Sequence, residues 1–209
     1  MEKLFFLSQE KNIHIMRNHH YREILFLKKG ERMRDFVFGY HDGAVTTFAV
    51  IVALTVAGLD HSIVLLGALT NIFGAGIAFT LGDYASIKTQ IRSIKSFSYS
   101  RKLSSHERDE MKDLAEQFDK PYKIALITFT AFVTAGAIAL APFIFVKSIN
   151  ALDVSTVLVL MSVFFIGVMR AKYTHGDRLR SGLEMVLIAS IALGAAYFIG
   201  VYGLELLVR

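Results

Sequence analysis

The residues whose types could do chemistry in this sequence are polar groups placed inside apolar runs. Asp42 is the leading case. It lies in RDFVFGYHDGAVTTFAVIVALTVAG, about two helical turns inside the first such run, between His41 and Gly43. An ionisable side chain at membrane depth costs about 3 kcal/mol on insertion scales, so by default it marks an ion path or a proton relay. Gly43 permits close backbone approach, and Thr46 and Thr47 add hydroxyls one turn later. A carboxylate in that setting can bind a cation or exchange it for a proton.

Asp83, in GIAFTLGDYASIKTQ, is the second candidate, with Tyr84, Ser86 and Lys88 nearby. It stands close to the end of its run, and its alternative role is that of an interfacial residue paired with Lys88 or Arg92. Asn71, deep in the same run, suits either ion coordination or a hydrogen bond to a neighbouring helix. Glu184 and Glu205 fall near the two ends of the last run and read as interfacial.

Two further clusters lie outside the apolar runs. SSHERDEMKDLAEQFDKP predicts a helix opened by Ser104 or Ser105 and ended before Pro121, crowded with His106, Glu107, Asp109, Glu110, Asp113 and Glu116. Several of these carboxylates are three or four residues apart, where like charges repel unless a cation sits between them, and oxygen ligands favour hard divalent ions. The alternative is a solvated face laced with Arg108, Lys112 and Lys120. His19, His20 and Glu23 form a minimal ligand pair without a third member, which favours a solvated face.

The elements that position these groups follow from composition. The chain has 209 residues, 54% of them hydrophobic, and a mean hydropathy of +0.47, which leaves no room for a separate soluble enzyme domain. The absence of Cys excludes a disulfide framework and a thiol nucleophile. The first residues offer no clean apolar core followed by small residues, so they are expected to remain in the mature protein. Five stretches, approximately 36–58, 62–87, 122–146, 151–170 and 182–207, can each cross a hydrocarbon core of about 30 Å as a helix. Asp60 and His61 belong to a minimal turn between the first two. Residues 88–121 form a charged segment of their own.

Lys and Arg are distributed very unequally over the connections. Eight precede the first span, nine run from Lys88 to Lys123 and four from Arg170 to Arg180, which is 21 of 23. Five spans put those three segments on one side, and the positive-inside rule makes that side cytoplasmic, with the C-terminus outside. The head, residues 1–33, carries apolar clusters among basic residues, a pattern suited to an anionic inner leaflet. Small residues such as Gly194, Ala195, Ala196 and Gly200 predict close helix approach, and Pro142 predicts a kink. There is no nucleophile with a base and no phosphate loop.

At these residues the chain resembles the vacuolar iron transporter family, whose members move ferrous iron, and often manganese, out of the cytosol. RDFVFGYHDGAVTTFAV is similar to that family's first helix with its Gly-x-x-Asp-Gly core, and GALTNIFGAGIAFTLGDYASIKTQ to its second. TAFVTAGAIALAPFIF and SGLEMVLIASIALGAAYFIG resemble the third and fifth, and the likeness covers roughly 34–209. Three positions depart from it. Phe79 stands where the family has methionine, Asp83 where it has glutamate, and Pro142 with Ala139 where it has paired prolines.

The resemblance implies a homodimer with the ion path at its interface, exchange of divalent metal for protons, and Asp42 as a path ligand. It also implies a cytoplasmic loop that gathers metal on carboxylates, for which Glu107, Glu110, Asp113 and Glu116, with His106, are the candidates.

The expectation is therefore an all-α membrane protein with five transmembrane helices. A basic head, 1–33, precedes a five-helix domain, 34–209, which includes an acidic helical segment, 92–120. The expected activity is export of Fe²⁺ or Mn²⁺ from the cytosol by proton antiport, with Asp42, Asp83, Thr46 and Asn71 along the path. The metal is cargo, and no permanently bound cofactor is expected. The expected partners are divalent ions, protons, the bilayer and a second copy, and not nucleic acid. The host membrane would be the plasma membrane in a prokaryote or a vacuolar-type membrane in a eukaryote. The alternative is a membrane metal sensor or interaction partner that transports nothing, and an intramembrane enzyme ranks last.

Overall fold

In the computed structural model the described residues are 30, 32–100, 120–145, 150–174 and 176–208, with side chains described for all but 97–100 and 204–208. They contain five helical spans long and apolar enough to cross a membrane: Arg32–Val56, His61–Ser96, Pro121–Phe145, Asn150–Thr174 and Arg178–Gly203. We label the helices α1 (Arg32–Val56), α2 (His61–Thr70) and α3 (Gly76–Ser100), α4 (Pro121–Phe145), α5 (Asn150–Thr174) and α6 (Arg178–Val208). A five-residue π-helical segment, Asn71–Ala75, joins α2 to α3, and together they form span two. All the regular structure among the described residues is helical, as hydropathy predicts for a chain that must satisfy its backbone without water.

Local chemistry sets the helix ends. Gly58, at φ 75°, lets α1 close with the Gly58 N–H on the Thr55 carbonyl at 3.0 Å and the Leu59 N–H on the Leu54 carbonyl at 3.2 Å. That pair of bonds is a Schellman cap, which reverses the chain within a few residues. Pro121 opens α4, where its missing N–H costs nothing. Asp177 caps α6, its carboxylate accepting the backbone N–H groups of Leu179 at 2.9 Å and Arg180 at 3.3 Å.

One boundary differs from expectation. The helix of span two does not stop near residue 87 but runs on to Ser100. No Gly or Pro lies between Gly82 and Pro121 to end it. Residues 92–100 are thus a continuation of span two, and residues 101–119, with His106, Glu107, Glu110, Asp113 and Glu116, lie outside the described residues, as does the head before residue 30.

Contacts between spans fix their directions. A Cβ on Gly39 would meet the Thr128 backbone, and one on Gly43 the Phe132 backbone, so α1 and α4 run parallel in tight contact. Gly200, late in α6, faces the Ala53 backbone, late in α1, while Met185, early in α6, lines one cavity with His41, early in α1, so α6 is parallel to both. Gly167, late in α5, abuts Ser181 and Gly182, early in α6. Spans two and four therefore run the opposite way, and Arg34, Lys88, Lys123, Arg170 and Arg180 gather at one end of the bundle. We call it the basic end.

Small residues replace a hydrophobic driving force between helices, because lipid is as apolar as leucine. Gly200 serves in this way, whereas Gly194 faces open space. Spans one and three form the centre, with Phe48, Ile51, Phe132 and Ile124 fully buried. Leu66, Phe73, Ile77 and Leu81 on span two and Leu183, Leu187 and Ile191 on span five are exposed, as a surface facing hydrocarbon should be.

Candidate functional site

The polar groups at depth fall along the seam between spans one, two and three. On α1, Asp35 and Asp42 are seven residues apart, which places them within about 20° of one face and about 10 Å apart along the axis. Asp35 is buried, at 6% exposure, although the sequence reading did not single it out. Its Oδ1 accepts from Arg34 Nε at 3.0 Å and Nη2 at 2.8 Å. Its Oδ2 is buried with no hydrogen-bond partner among the described residues.

Asp83 approaches the same seam from span two. Its Oδ2 accepts the hydroxyl of Thr128 at 2.8 Å, and Thr128 is fully buried on α4. No ion pair forms with Lys88 or Arg92; Lys88 instead reaches the Tyr84 hydroxyl at 3.3 Å and lies over its ring. Asp83 is thus held by buried Thr128 on α4 and not by an interfacial cation among the described residues. Asp35 Oδ2, buried and unpartnered among the described residues, is the open acceptor at this end of the seam.

One turn deeper, Phe79 packs between Phe38, at 5.0 Å between ring centroids, and Phe132, at 6.1 Å. The position that resemblance assigns to a soft thioether is filled by an aromatic ring.

Below it, Asp42 is half-buried, and its carboxylate makes no hydrogen bond or ion pair with a described residue. The Thr46 hydroxyl donates to the Asp42 carbonyl at 2.8 Å. Asn71 Nδ2 then donates to Thr46 Oγ1 at 3.2 Å and to Thr47 Oγ1 at 3.0 Å, with Thr47 fully buried. The structure thus brings Asp42, Thr46 and Asn71 together across spans one and two. With its amide nitrogen committed to two threonines, Asn71 keeps its carbonyl oxygen for other ligands.

The π-helical segment explains how one helix serves both stations. Asn71 and Asp83 are twelve residues apart, which would set them about 120° apart on a uniform α-helix. A π turn absorbs one extra residue, so the offset falls to about 20° and both face the seam. Nothing in NIFGA announces this turn, since it contains no proline. Among the described residues no three His, Asp or Glu side chains converge, so a metal here would complete its shell with neutral oxygens and water. Glu184 pairs with Arg170 at 2.7 Å.

Comparison with known proteins now bears on this geometry. The family model described as the VIT family matches residues 33–116 and 95–201. The chain belongs to that family. Vacuolar iron transporter 1 of Oryza sativa subsp. japonica is 22% identical over 223 residues, covering 86% of this chain and 88% of that protein. Vacuolar iron transporter 1 of Arabidopsis thaliana is 22% identical over 244 residues, covering 94% and 95%. Protein CCC1 of Saccharomyces cerevisiae is 21% identical over 215 residues, covering 78% and 66%. VIT-family membership makes the chain a multi-pass membrane protein of a transporter family and not an enzyme.

Proposed function

We propose that this chain is a divalent metal transporter that carries Fe²⁺ or Mn²⁺ through the seam of spans one to three in exchange for protons. The observation that carries the reading is the two-station ladder, in which Asp35 and Asp83 lie at the basic end and Asp42 lies two turns deeper beside Asn71 and Thr46. Iron transport in the named relatives supports the cargo.

In this mechanism the basic end faces the cytoplasm, and the carboxylates of the segment after Ser100, with Glu107, Glu110, Asp113 and Glu116, gather the ion. Asp83 and Asp35 receive it, and Thr128 keeps the Asp83 carboxylate oriented. The ion then passes Phe79 and binds Asp42, whose carboxylate pairs with no described cation. Proton competition for Asp42 releases the ion to the far side, and the ligands are hard oxygens throughout, which suits Mn²⁺ beside Fe²⁺. Exposed Phe73 and Ile77 flank this seam and suit packing against a second copy. The head, residues 1–33, then lies on the inner leaflet.

The test is uptake of Mn²⁺ and Fe²⁺ into proteoliposomes with and without an opposing pH gradient. Gradient-dependent flux that vanishes in Asp42→Ala supports the mechanism, and unchanged flux in that variant sinks it. The Phe79 ring between Phe38 and Phe132 favours one rival, a metal sensor that binds without transport. A sensor would show calorimetric binding of Mn²⁺ with no flux in the same vesicles.

A further inference from the structure

A cavity of about 410 Å³ lies at the basic end between α1, α5 and α6, with Phe38 between it and the metal seam, and the transport reading assigns it no role. Arg34, His41, Arg170, Tyr173 and Thr174 supply its polar wall, and no carboxylate among the described residues lines it. Phe38 and Ile188 form part of its apolar wall, and both are exposed, at 57% and 46%, so the cavity opens sideways between spans rather than into the bundle.

Arg170 is held in place from three directions. Its Nε donates to Ser181 Oγ at 3.2 Å, its Nη1 to the Met185 sulfur at 3.8 Å and its Nη2 to Glu184 at 2.7 Å. Each terminal nitrogen carries two hydrogens, so donors remain for a further acceptor. His41 lines the cavity beside Met185, and its Nε2 is buried without a partner among the described residues.

We propose that this cavity binds one anionic glycerophospholipid, with its phosphate on Arg170 and Arg34 and its acyl chains leaving past Phe38 and Ile188. The charge excludes a metal ion, since two guanidinium groups face the space. The apolar share of the wall and its sideways opening disfavour a fully hydrated anion, which would give up its water without recovering it. A basic pocket between helix ends with an apolar exit matches a lipid on both counts, because the headgroup phosphate and the hydrocarbon arrive as one molecule. The site ties α1 to the α5–α6 pair at headgroup depth.

Native mass spectrometry of the full chain in mild detergent, with equal amounts of dioleoyl phosphatidylglycerol and dioleoyl phosphatidylcholine added, tests the proposal. The expected result is one tightly retained phosphatidylglycerol per chain, in preference to phosphatidylcholine. Retention should fall by roughly fivefold in Arg34→Gln, the loss expected for one basic residue near an anionic lipid. Ile188→Trp narrows the exit without changing charge and should also lower retention, which guards against a fold defect in either variant alone. Equal retention of the two lipids would overturn the proposal, as would retention unchanged in both variants. Displacement of the adduct by millimolar inorganic phosphate would also overturn it, by identifying a soluble anion as the ligand.

Discussion

The outer and inner carboxylate stations share one face of α1 and differ in what the protein has already given them. At the outer station Asp35 takes two bonds from Arg34, and Asp83 takes one from buried Thr128. At the inner station Asp42 is held by no described side chain, and the order lies beside it, in the amide of Asn71 and the hydroxyls of Thr46 and Thr47. A carboxylate already bound by the protein is positioned and partly neutralised, which suits brief occupancy. A carboxylate whose neighbours are bound to each other is left open to the ion and the proton that compete for it.

Substitutions that affect one station and not the other test this difference. The largest effect is expected for Asp42→Ala or Asp42→Asn, with Mn²⁺ flux in proteoliposomes falling by more than the roughly 10–100-fold that follows loss of a ligand's supporting partner. Asn71→Leu removes the amide that orders both threonines and leaves their hydroxyls facing an apolar group. Loss of such a buried bond is worth about 1–3 kcal/mol, so flux should drop about tenfold or more with Asp42 intact.

Thr128→Val frees Asp83 without removing its charge, and a smaller change, about fivefold in half-saturating Mn²⁺ with little change in maximal flux, is expected for one hydrogen bond. Equal losses in maximal flux from Thr128→Val and Asn71→Leu would erase the distinction between the stations. Phe79→Met, between the two, restores a soft ligand, and competition assays should move preference toward Fe²⁺ over Mn²⁺ by a few fold. The smallest effect belongs to Glu184→Gln. Its ion pair with Arg170 is half exposed and worth less than about 1 kcal/mol, so flux should be unchanged and detergent unfolding only slightly earlier.

Much of this arrangement is legible in the sequence because membrane helices obey few rules. Five apolar runs and the bias of Lys and Arg give the spans, and polar residues inside those runs single out Asp42, Asp83, Asn71 and Thr46. Asp35 escapes because it sits where the first run begins, beside Arg34, and so reads as a flanking charge; its seven-residue spacing from Asp42 is the signal that reveals it. Thr128 gives no signal, since a threonine in an apolar helix is unremarkable until a carboxylate from another span reaches it. The π segment is nearly as silent, because a wide turn is a matter of backbone phase, and Gly74 within NIFGA is one of many glycines in these spans. Gly194 errs in the other direction, a small residue in the expected pattern that touches no neighbouring helix.

The unbroken run of α3 to Ser100 also sets a distance. From Asp83 the helix advances about 25 Å along its axis before it reaches Ser100, close to the thickness of the hydrocarbon core itself. The acidic stretch that follows is therefore tethered to the far tip of a stiff rod whose base carries the entry carboxylate. In the proposed mechanism capture and entry would be separate events in time, joined by diffusion over a fixed reach, with the acidic stretch setting how scarce an ion can be and still be found and the seam setting how fast it crosses.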